Sequence, residues 1–408
     1  MKNWMILICL YFLTSPLFAQ VDRIMDANIQ TVLVFPKGKP LALPIIGLNT
    51  QDELLIQFDD LSANYKQYYF TIELLDINWQ PVALNPFDYT RGLTQNNIRE
   101  YTISSIAQQA YFRYSFTFPT TSCRPTKSGN YLMKVFRQGR SNELVFTKRF
   151  YVTEQEVPIT ASIQEPFDET ISKSHQKIQV QLDIKKIQLL QPELLHVAVL
   201  QNTRYNDIMI SNAPSFIRGN QMEYNADRDF VFPAGKESRW LDLQNLRFKT
   251  DRIAAIQQLG YGSRIILKSD QSRASLPYFT FRDLNGQYMI SNTEMIRSED
   301  QNDYAQVLFS YLPKNGVAFE GKSMYLAGAL TSNILDTNAR MQWNSASKQY
   351  EKWLNLKQGY YSYNYILRAD QSPNPLHDFM WTEGDHWETE NSYTIFVYFR
   401  APGSRYDQ

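Results

Sequence analysis

Short runs of aromatic and β-branched residues, separated by turn residues, recur along the whole 408-residue chain. Tyr68–Leu75 and Tyr111–Phe118 alternate apolar and polar side chains in the manner of half-buried strands, and Lys127–Asn130 has the composition of a turn. The 26 Tyr and 24 Phe also favour strands, because flat side chains pack well on a pleated surface. Helical periodicity is nearly absent. The sequence therefore predicts an all-β fold of tandem β-sandwich domains, with one short helix at Asp251–Leu259 before Gly260.

Two polar stretches indicate where the domains meet. Thr153–Pro158 is polar and ends in proline, and Arg297–Asp303 is densely charged. At ~100–200 residues per domain, a chain of this length suggests two or three domains. We therefore predict an N-terminal β-sandwich domain at 20–155, a middle β-rich domain at 156–298 and a C-terminal sandwich at 299–408.

The N-terminal residues have the three-part layout of a secretory signal peptide. Lys2 precedes the apolar run Trp4–Leu13, and a small residue, Ala19, stands at the expected cleavage site. The apolar run is shorter than the ~20 residues that a membrane-spanning helix needs. We therefore expect residues 1–19 to be removed, together with Cys9. Cys123 is then the remaining cysteine, so the exported chain is expected to have no intramolecular disulfide.

The charge balance excludes several classes of partner. The chain has 41 basic and 41 acidic residues, which gives no electrostatic reason to expect nucleic acid or a polybasic membrane anchor. No later segment approaches the ~20 apolar residues of a membrane helix. The sequence thus predicts a soluble protein of the periplasm.

Residues suited to catalysis are scarce. The four histidines, His175, His196, His377 and His386, have no nucleophile close in sequence, and no nucleophile elbow, phosphate-binding loop or metalloprotease motif occurs. Cys123 next to Arg124 is better explained as an inert cysteine than as a reactive thiol. We therefore expect no enzymatic activity and no cofactor, and a hydrolase ranks third among the functions considered.

One polar cluster, residues 377–388, combines two histidines with four carboxylates. Such residues can ligate a metal ion when they converge at ~2.0–2.2 Å, but an ordinary polar loop explains the cluster better, and we predict no metal site. The same segment carries Trp381 and Trp387, and tryptophans at loop tips often anchor protein contacts, although core packing explains at least one of them equally well.

The C-terminal block resembles glycogen-binding immunoglobulin-like modules at Ser323–Gly328 and Leu356–Tyr365. This resemblance implies that the tandem sandwiches are of the immunoglobulin-like, or E-set, type. Those modules place a tryptophan in their sugar platform after the glycine, whereas Ala329–Ile334 contains none. A periplasmic carbohydrate-binding protein is therefore the alternative function.

Several segments together resemble the plug protein family of the type IX secretion system of Bacteroidetes. They span nearly all of the chain after residue 20, and their order and number carry the resemblance. The segments are Arg124–Leu132, Val199–Tyr205, Pro214–Asn220, Phe232–Arg239, Thr382–Arg400 and Pro402–Asp407.

The resemblance implies a mechanism based on contact. Members of this family bind the periplasmic opening of a very large outer-membrane β-barrel translocon and occlude it, so this barrel is the expected partner. The protein would be held at the outer membrane through that partner, without entering the bilayer. Phe379, Trp381, His386 and Trp387 are the predicted partner-contact residues.

Overall fold

A computed structural model describes residues 22–408 except residues 139–142, 188, 190, 261, 294–298 and 371–376. The predicted signal peptide, residues 1–19, and the start of the predicted boundary at Arg297 lie outside the described residues. Within the described part of the chain, no helix is long and apolar enough to cross a membrane. The prediction of an all-β fold is confirmed, since strands make up 46% of the structure and helices 4%.

The described residues form twenty-nine strands, numbered here in chain order. The first twelve are β1 Arg23–Ile24, β2 Ile29–Pro36, β3 Ile45–Gly47, β4 Leu54–Asp60, β5 Tyr68–Leu75, β6 Thr90–Gly92, β7 Asn96–Ile98, β8 Tyr101–Ile103, β9 Phe112–Phe118, β10 Cys123–Pro125, β11 Gly129–Arg137 and β12 Leu144–Thr153. The next seven are β13 Ile159–Gln164, β14 His175–Asp183, β15 Leu195–Gln201, β16 Met209–Ser211, β17 Phe216–Arg218, β18 Gln221–Tyr224 and β19 Val231–Pro233. The last ten are β20 Arg239–Asp242, β21 Ile253–Leu259, β22 Gly262–Leu267, β23 Tyr288–Ile290, β24 Tyr304–Tyr311, β25 Lys322–Ala327, β26 Gln342–Asn344, β27 Gln349–Lys357, β28 Gly359–Ala369 and β29 Tyr393–Phe399.

Helices are few and short. The helix α1, Pro86–Tyr89, begins with a capping box in which Asn85 and Asp88 satisfy each other's backbone N–H groups. Three-residue 3₁₀ turns lie at Pro192–Leu194, Tyr205–Asp207, Glu299–Gln301 and Ala329–Thr331. The predicted helix at Asp251–Leu259 is wrong, because Ile253–Leu259 is strand β21 in an antiparallel hairpin with β22.

The first sandwich encloses an aromatic core between two sheets. One sheet has the order β1-β12-β11-β5-β7, with β3 beside β12, and the other has the order β2-β4-β9-β8. Strand β5 buries Tyr68, Phe70, Ile72 and Leu74 at alternate positions, as its sequence pattern predicts. Fully burying each such side chain contributes about 1.5–3 kcal/mol, so this core can stabilise the domain without a disulfide. Cys123 is a buried free thiol.

The second sandwich is completed by a strand from the far end of the sequence. One of its sheets has the order β13-β14-β18-β17, with β19 beside β14, and the opposing sheet has the order β16-β15-β29. In that opposing sheet, β29 pairs with β15 from Leu195 opposite Phe399 to Gln201 opposite Tyr393. The chain therefore leaves this sandwich, builds the third one and returns.

The third sandwich draws strands from both sides of residue 298. Its sheets are β20-β28-β23 with β25 beside β28, and β21-β22-β24-β27-β26. The parallel pair β22 and β24 joins Ser263 to Ala305 in register, across the predicted boundary between residues 298 and 299. The sheets thus group residues 239–290 with the C-terminal block, although the domain limits given above stay a prediction.

Buried side-chain contacts, both polar and aromatic, hold the sandwiches against one another. Between the first and third, Lys357 Nζ lies 2.5 Å from Asp59 Oδ2, and the Tyr304 hydroxyl donates to the same oxygen at 2.7 Å. Between the first and second, the rings of Tyr151 and Phe396 stack with centroids 4.2 Å apart. These side chains are almost fully buried, so the interfaces resemble domain cores.

Candidate interaction surface

Two loops that the sequence separates widely are bonded into one surface. The first loop comprises residues 271–283, and the second comprises residues 377–391. Ser272 Oγ donates to the carbonyl of Trp381 at 2.9 Å, Arg273 N–H donates to the carbonyl of Thr382 at 2.8 Å, and the Tyr278 hydroxyl donates to the carbonyl of Glu388 at 2.8 Å. We call the pair the two-loop surface. Because backbone groups of both loops take part, the two segments are held as a unit.

Glu383 anchors this surface from inside. Its carboxylate has no solvent exposure and accepts from Arg239 Nε at 3.0 Å, from Arg273 Nε at 2.7 Å and from the Tyr365 N–H at 3.0 Å. Burial alone would raise the pKa of Glu383, but attraction to Arg239 and Arg273 outweighs it and lowers the pKa to about 2. The carboxylate is therefore ionised at neutral pH and fully paired.

A second carboxylate extends the network beneath β20 and β28. Arg239 Nη1 donates to Asp270 Oδ1 at 2.8 Å, and the hydroxyls of Tyr363 and Tyr365 donate to Asp270 Oδ2 at 2.9 and 3.0 Å. Arg252 also contacts Asp270. A buried polar network of this kind rigidifies its surroundings when its members are satisfied. It therefore holds the first loop of the two-loop surface in one geometry relative to the second.

The structure separates the predicted contact residues by exposure. Trp381 is 54% exposed, with the Lys322 ammonium 4.6 Å above its ring, and its neighbour Met380 is 59% exposed. Phe379, in contrast, is only 3% exposed and packs against Ala327 and Ile366. Phe379 therefore supports the loop from below, and Trp381 presents the apolar surface.

The other two predicted residues lie at the base of the second loop. The His386 ring lies 5.3 Å from the Tyr278 ring, and burial together with the nearby Lys236 ammonium lowers the pKa of His386. Trp387 is half-buried. Its backbone N–H donates to the carbonyl of Lys173 at 3.0 Å, and its backbone carbonyl accepts from Gln176 Nε2 at 2.7 Å. The four predicted residues thus share one loop, but they do not form a single exposed patch.

The segment around Gly235 ties the second loop to the second sandwich. Gly235 N–H donates to Asp385 Oδ1 at 2.8 Å, and its carbonyl accepts from His386 N–H at 2.9 Å and from Thr389 Oγ1 at 2.8 Å. Gly235 has φ +67°, and a Cβ there would lie 3.4 Å from the Phe379 ring. Phe232–Arg239 and Thr382–Arg400, two of the segments that carry the family resemblance, therefore interlock at this joint.

Several polar residues of this region bond to one another, although the Nε2 atoms of His377 and His386 are buried without a hydrogen-bond partner among the described residues. His377 Nδ1 lies 2.6 Å from Asp207 Oδ1, while Glu383 and Asp385 hold the partners given above. Among the described residues, no group of three or more His, Cys, Asp or Glu side chains lies close enough to hold a metal ion. The region is better described as a structural joint than as an open polar loop.

Two further apolar residues of this surface were missed from the sequence. Leu276 is 53% exposed and Phe279 is 72% exposed, both on the first loop. Their segment, Ser275–Phe281, has the composition of a strand, and the proline at 277 was the available signal that it is a loop. Leu276, Phe279, Met380 and Trp381 give the two-loop surface four large exposed apolar side chains, a feature typical of protein contact sites.

The fold and this surface together define a class of protein: an all-β chain of three sandwiches with a braced surface of exposed apolar side chains. Residues 29–154 match the family model described as the type 9 secretion system plug protein 1st domain. The first sandwich therefore belongs to that domain family, which connects the chain with type IX secretion and with the cell envelope. The resemblance found in the sequence is confirmed for these residues, whereas the glycogen-binding-like C-terminal module stays a prediction.

A solved structure resembles the whole chain. It is described as the crystal structure of a hypothetical protein from Parabacteroides merdae ATCC 43184. The two are 28% identical, with a TM-score of 0.91, and the alignment covers 95% of this chain and 97% of that one. No curated protein matches this chain. The three-sandwich arrangement is therefore shared by both proteins over nearly their full lengths.

Proposed function

We propose that this protein is a periplasmic plug, which binds the periplasmic opening of the large outer-membrane translocon barrel of the type IX secretion system and occludes it. The observation that carries this proposal is the match of residues 29–154 to the plug protein family. The predicted signal peptide supports a location in the periplasm. The protein would work by contact rather than by catalysis.

The rigid connection of the sandwiches suits this role. A plug that covers a very wide opening needs an interface well above the ~1,600 Å² of a standard complex, contributed by more than one domain. The buried Asp59–Lys357 pair and the stacked rings of Tyr151 and Phe396 brace the first sandwich against the other two. Such bracing would let the molecule present one broad surface at little cost in conformational entropy.

The two-loop surface is the proposed contact region. Its exposed Leu276, Phe279, Met380 and Trp381 can be buried by a partner, and the Glu383 network below them is already ordered before contact. Truncating large side chains of this kind, which stand on an ordered base, typically costs the most binding free energy, about 2 kcal/mol or more each.

Affinity purification of the tagged protein from its native envelope, with mass spectrometry of the bound material, tests the function. Recovery of one very large outer-membrane barrel would support the plug. Retention on a polysaccharide column, with no membrane protein recovered, would instead favour the carbohydrate-binding alternative and contradict the plug.

The contact region is tested by Trp381→Ala combined with Trp387→Ala, which should weaken barrel recovery. Trp353→Ala is the matched control, because Trp353 is a tryptophan of similar exposure, 44%, on strand β27, which is part of neither loop. Unchanged recovery with the double variant, or an equal loss with the control, would remove the two-loop surface from the proposal. Neither result would bear on whether the barrel is the partner.

A further inference from the structure

The sheet β16-β15-β29 of the second sandwich has an open edge. Strand β29 pairs with β15 on one side, and no strand among the described residues pairs with its other side. Arg400 N–H donates to the carbonyl of Leu194, and Asn202 N–H donates to the carbonyl of Ser392. In an antiparallel pair the bonded positions alternate, so the even-numbered residues of β29 bond to β15. The backbone groups of Tyr393, Ile395, Val397 and Phe399 therefore point to the open side.

The open edge already accepts backbone hydrogen bonds at one end. Phe399 N–H donates to the carbonyl of Gln408 at 3.1 Å, and Gln408 N–H donates to the carbonyl of Phe399 at 3.0 Å. This reciprocal pair is the pattern that an added antiparallel strand would continue. Gln408 bonds to Phe399, and among the described residues no backbone group bonds to the outward side of Ile395 or Val397, so these two positions are available to another chain.

The facing sheet is uncovered at the corresponding position. On β13, Ile159 lies opposite Leu182, and Ile163 lies opposite Ile178. Leu182 and Ile178 point into the core, and directly paired residues share a face, so Ile159 and Ile163 point the same way. They are nevertheless 40% and 45% exposed. The sheet β16-β15-β29 would therefore need one more strand, beside β29, to cover the core face of β13.

A groove of about 780 Å³ occupies this position. Its lining includes every residue from Thr394 to Phe399, both those that face the first sandwich and those that face the core of the second. A cavity can touch both faces of a strand only when it runs along the edge. Ile159 lines the opposite wall, and Tyr151 and Val152 at the end of β12 form the side toward the first sandwich.

The charges around the groove favour a basic occupant. Two carboxylates, Glu154 and Glu156, line it, and the described lining contains one basic residue, Lys186. All three side chains are exposed. The groove is continuous with the interface between the first two sandwiches, where Phe396 stacks on Tyr151.

We propose that this groove binds an extended segment of another polypeptide, which adds as a strand to the open edge of β29. Apolar side chains at alternate positions of that segment would cover Ile159 and Ile163. The intervening positions would point toward the first sandwich, where basic side chains meet Glu154 and Glu156. Strand addition of this kind takes its affinity from main-chain hydrogen bonds and its specificity from the alternate side chains.

The probe for the test is the peptide acetyl-KVKVKVK-amide, which alternates basic and apolar residues, and binding to the purified protein is measured by calorimetry. Amide hydrogen exchange in residues 393–399 should slow when the peptide binds. The acidic peptide acetyl-EVEVEVE-amide should bind at least about tenfold more weakly, because the groove carries more acidic than basic side chains.

The variant Val397→Pro removes one outward N–H and leaves the bonds to β15 intact, since proline is tolerated where a strand edge faces solvent. This variant should bind the basic peptide at least about tenfold more weakly than the unchanged protein does. The matched control is Ile103→Pro: Ser104 N–H donates to the carbonyl of Tyr111, so the N–H of Ile103 points outward from β8, another edge strand. This control should bind as the unchanged protein does. If Val397→Pro does not fold, Ile159→Gln with Ile163→Gln, both at exposed positions, should weaken binding severalfold.

The proposal is overturned if Val397→Pro binds the basic peptide as tightly as the unchanged protein, or if the exchange of residues 393–399 is unaffected. Equal binding of the two peptides also overturns it. A dimer in sedimentation that Val397→Pro disperses would assign the edge to a second copy of the chain and contradict it as well. The test contains no translocon barrel, so its failure would leave the plug proposal untouched.

Discussion

Glu383→Gln is the substitution that tests most directly whether the two-loop surface is braced from inside. Glu383 is fully buried and bonds to Arg239, Arg273 and the Tyr365 N–H. The change keeps the shape but removes the charge, so Arg239 loses one of its two carboxylate partners while it remains buried. Removing one partner of a buried pair costs about 3–5 kcal/mol.

The pH dependence gives a second value for the stability that the ionised Glu383 contributes to the fold. The pKa of Glu383 is lowered from 4.5 to about 2. The folded state therefore binds fewer protons than the unfolded state in this range, and the stabilisation is present above pH 4.5 and lost as the pH falls toward 2. A shift of this size corresponds to about 3 kcal/mol, which agrees with the loss expected for the substitution.

Urea denaturation followed by circular dichroism measures both quantities. At pH 7 the free energy of unfolding of Glu383→Gln should be lower by about 3 kcal/mol or more, and the gap should narrow as the pH falls below 4.5. Glu320→Gln, a change at an exposed glutamate of the same sandwich, should stay within about 0.5 kcal/mol of the unchanged protein. A loss below about 1 kcal/mol, or a gap that acid leaves constant, would refute the reasoning.

Three further predictions follow from buried groups. Burial outweighs the attraction of Asp59 and lowers the pKa of Lys357 from 10.5 to about 8. Above pH 8 the unfolded state therefore binds more protons than the folded state, so the urea midpoint should rise between pH 8 and 9.5 in the unchanged protein but not in Lys357→Met. Burial raises the pKa of Asp385 from 3.8 to about 6, even though its carboxylate accepts a hydrogen bond from the Gly235 N–H. The ionised carboxylate is therefore unfavourable in the folded state, so Asp385→Asn should stabilise the protein at pH 7 by about 1 kcal/mol after solvent screening, and a lower melting temperature would contradict this. Burial raises the pKa of the Cys123 thiol to about 11, so iodoacetamide at pH 8 should label the urea-unfolded chain and not the native one, as mass spectrometry would show.

The strands were predictable where the sequence pattern is local. Tyr68–Leu75 was predicted with the bounds that the structure has, because aromatic and β-branched residues fill a run that ends in turn residues. Asp251–Leu259 was not, because its Ala, Gln and Leu are good helix formers. Pairing with β22, which buries Ile253 and Ile265 together, overrides that preference.

The candidate surface was only partly predictable, for a different reason. The sequence identified the 377–388 segment and the exposed Trp381. It could not reveal that Glu383 is buried, because its partners Arg239, Arg273 and Tyr365 lie on other elements. Composition shows that a segment is polar, whereas burial depends on contacts between residues far apart in sequence. The same limit hid the buried position of Phe379, which lies against Ala327 and Ile366.

The return of β29 to the second sandwich has a consequence for the order in which a newly made chain can fold. The first sandwich has all its strands once Thr153 is available, and the third has all of its own by Ala369. The second must wait for Tyr393–Phe399, although most of its strands were made much earlier. During vectorial emergence of the chain, the second sandwich is thus the last part to become native. The edge of β15 that β29 will occupy is exposed to chaperones or to aggregation until that final strand arrives, although β16 already pairs with the other edge.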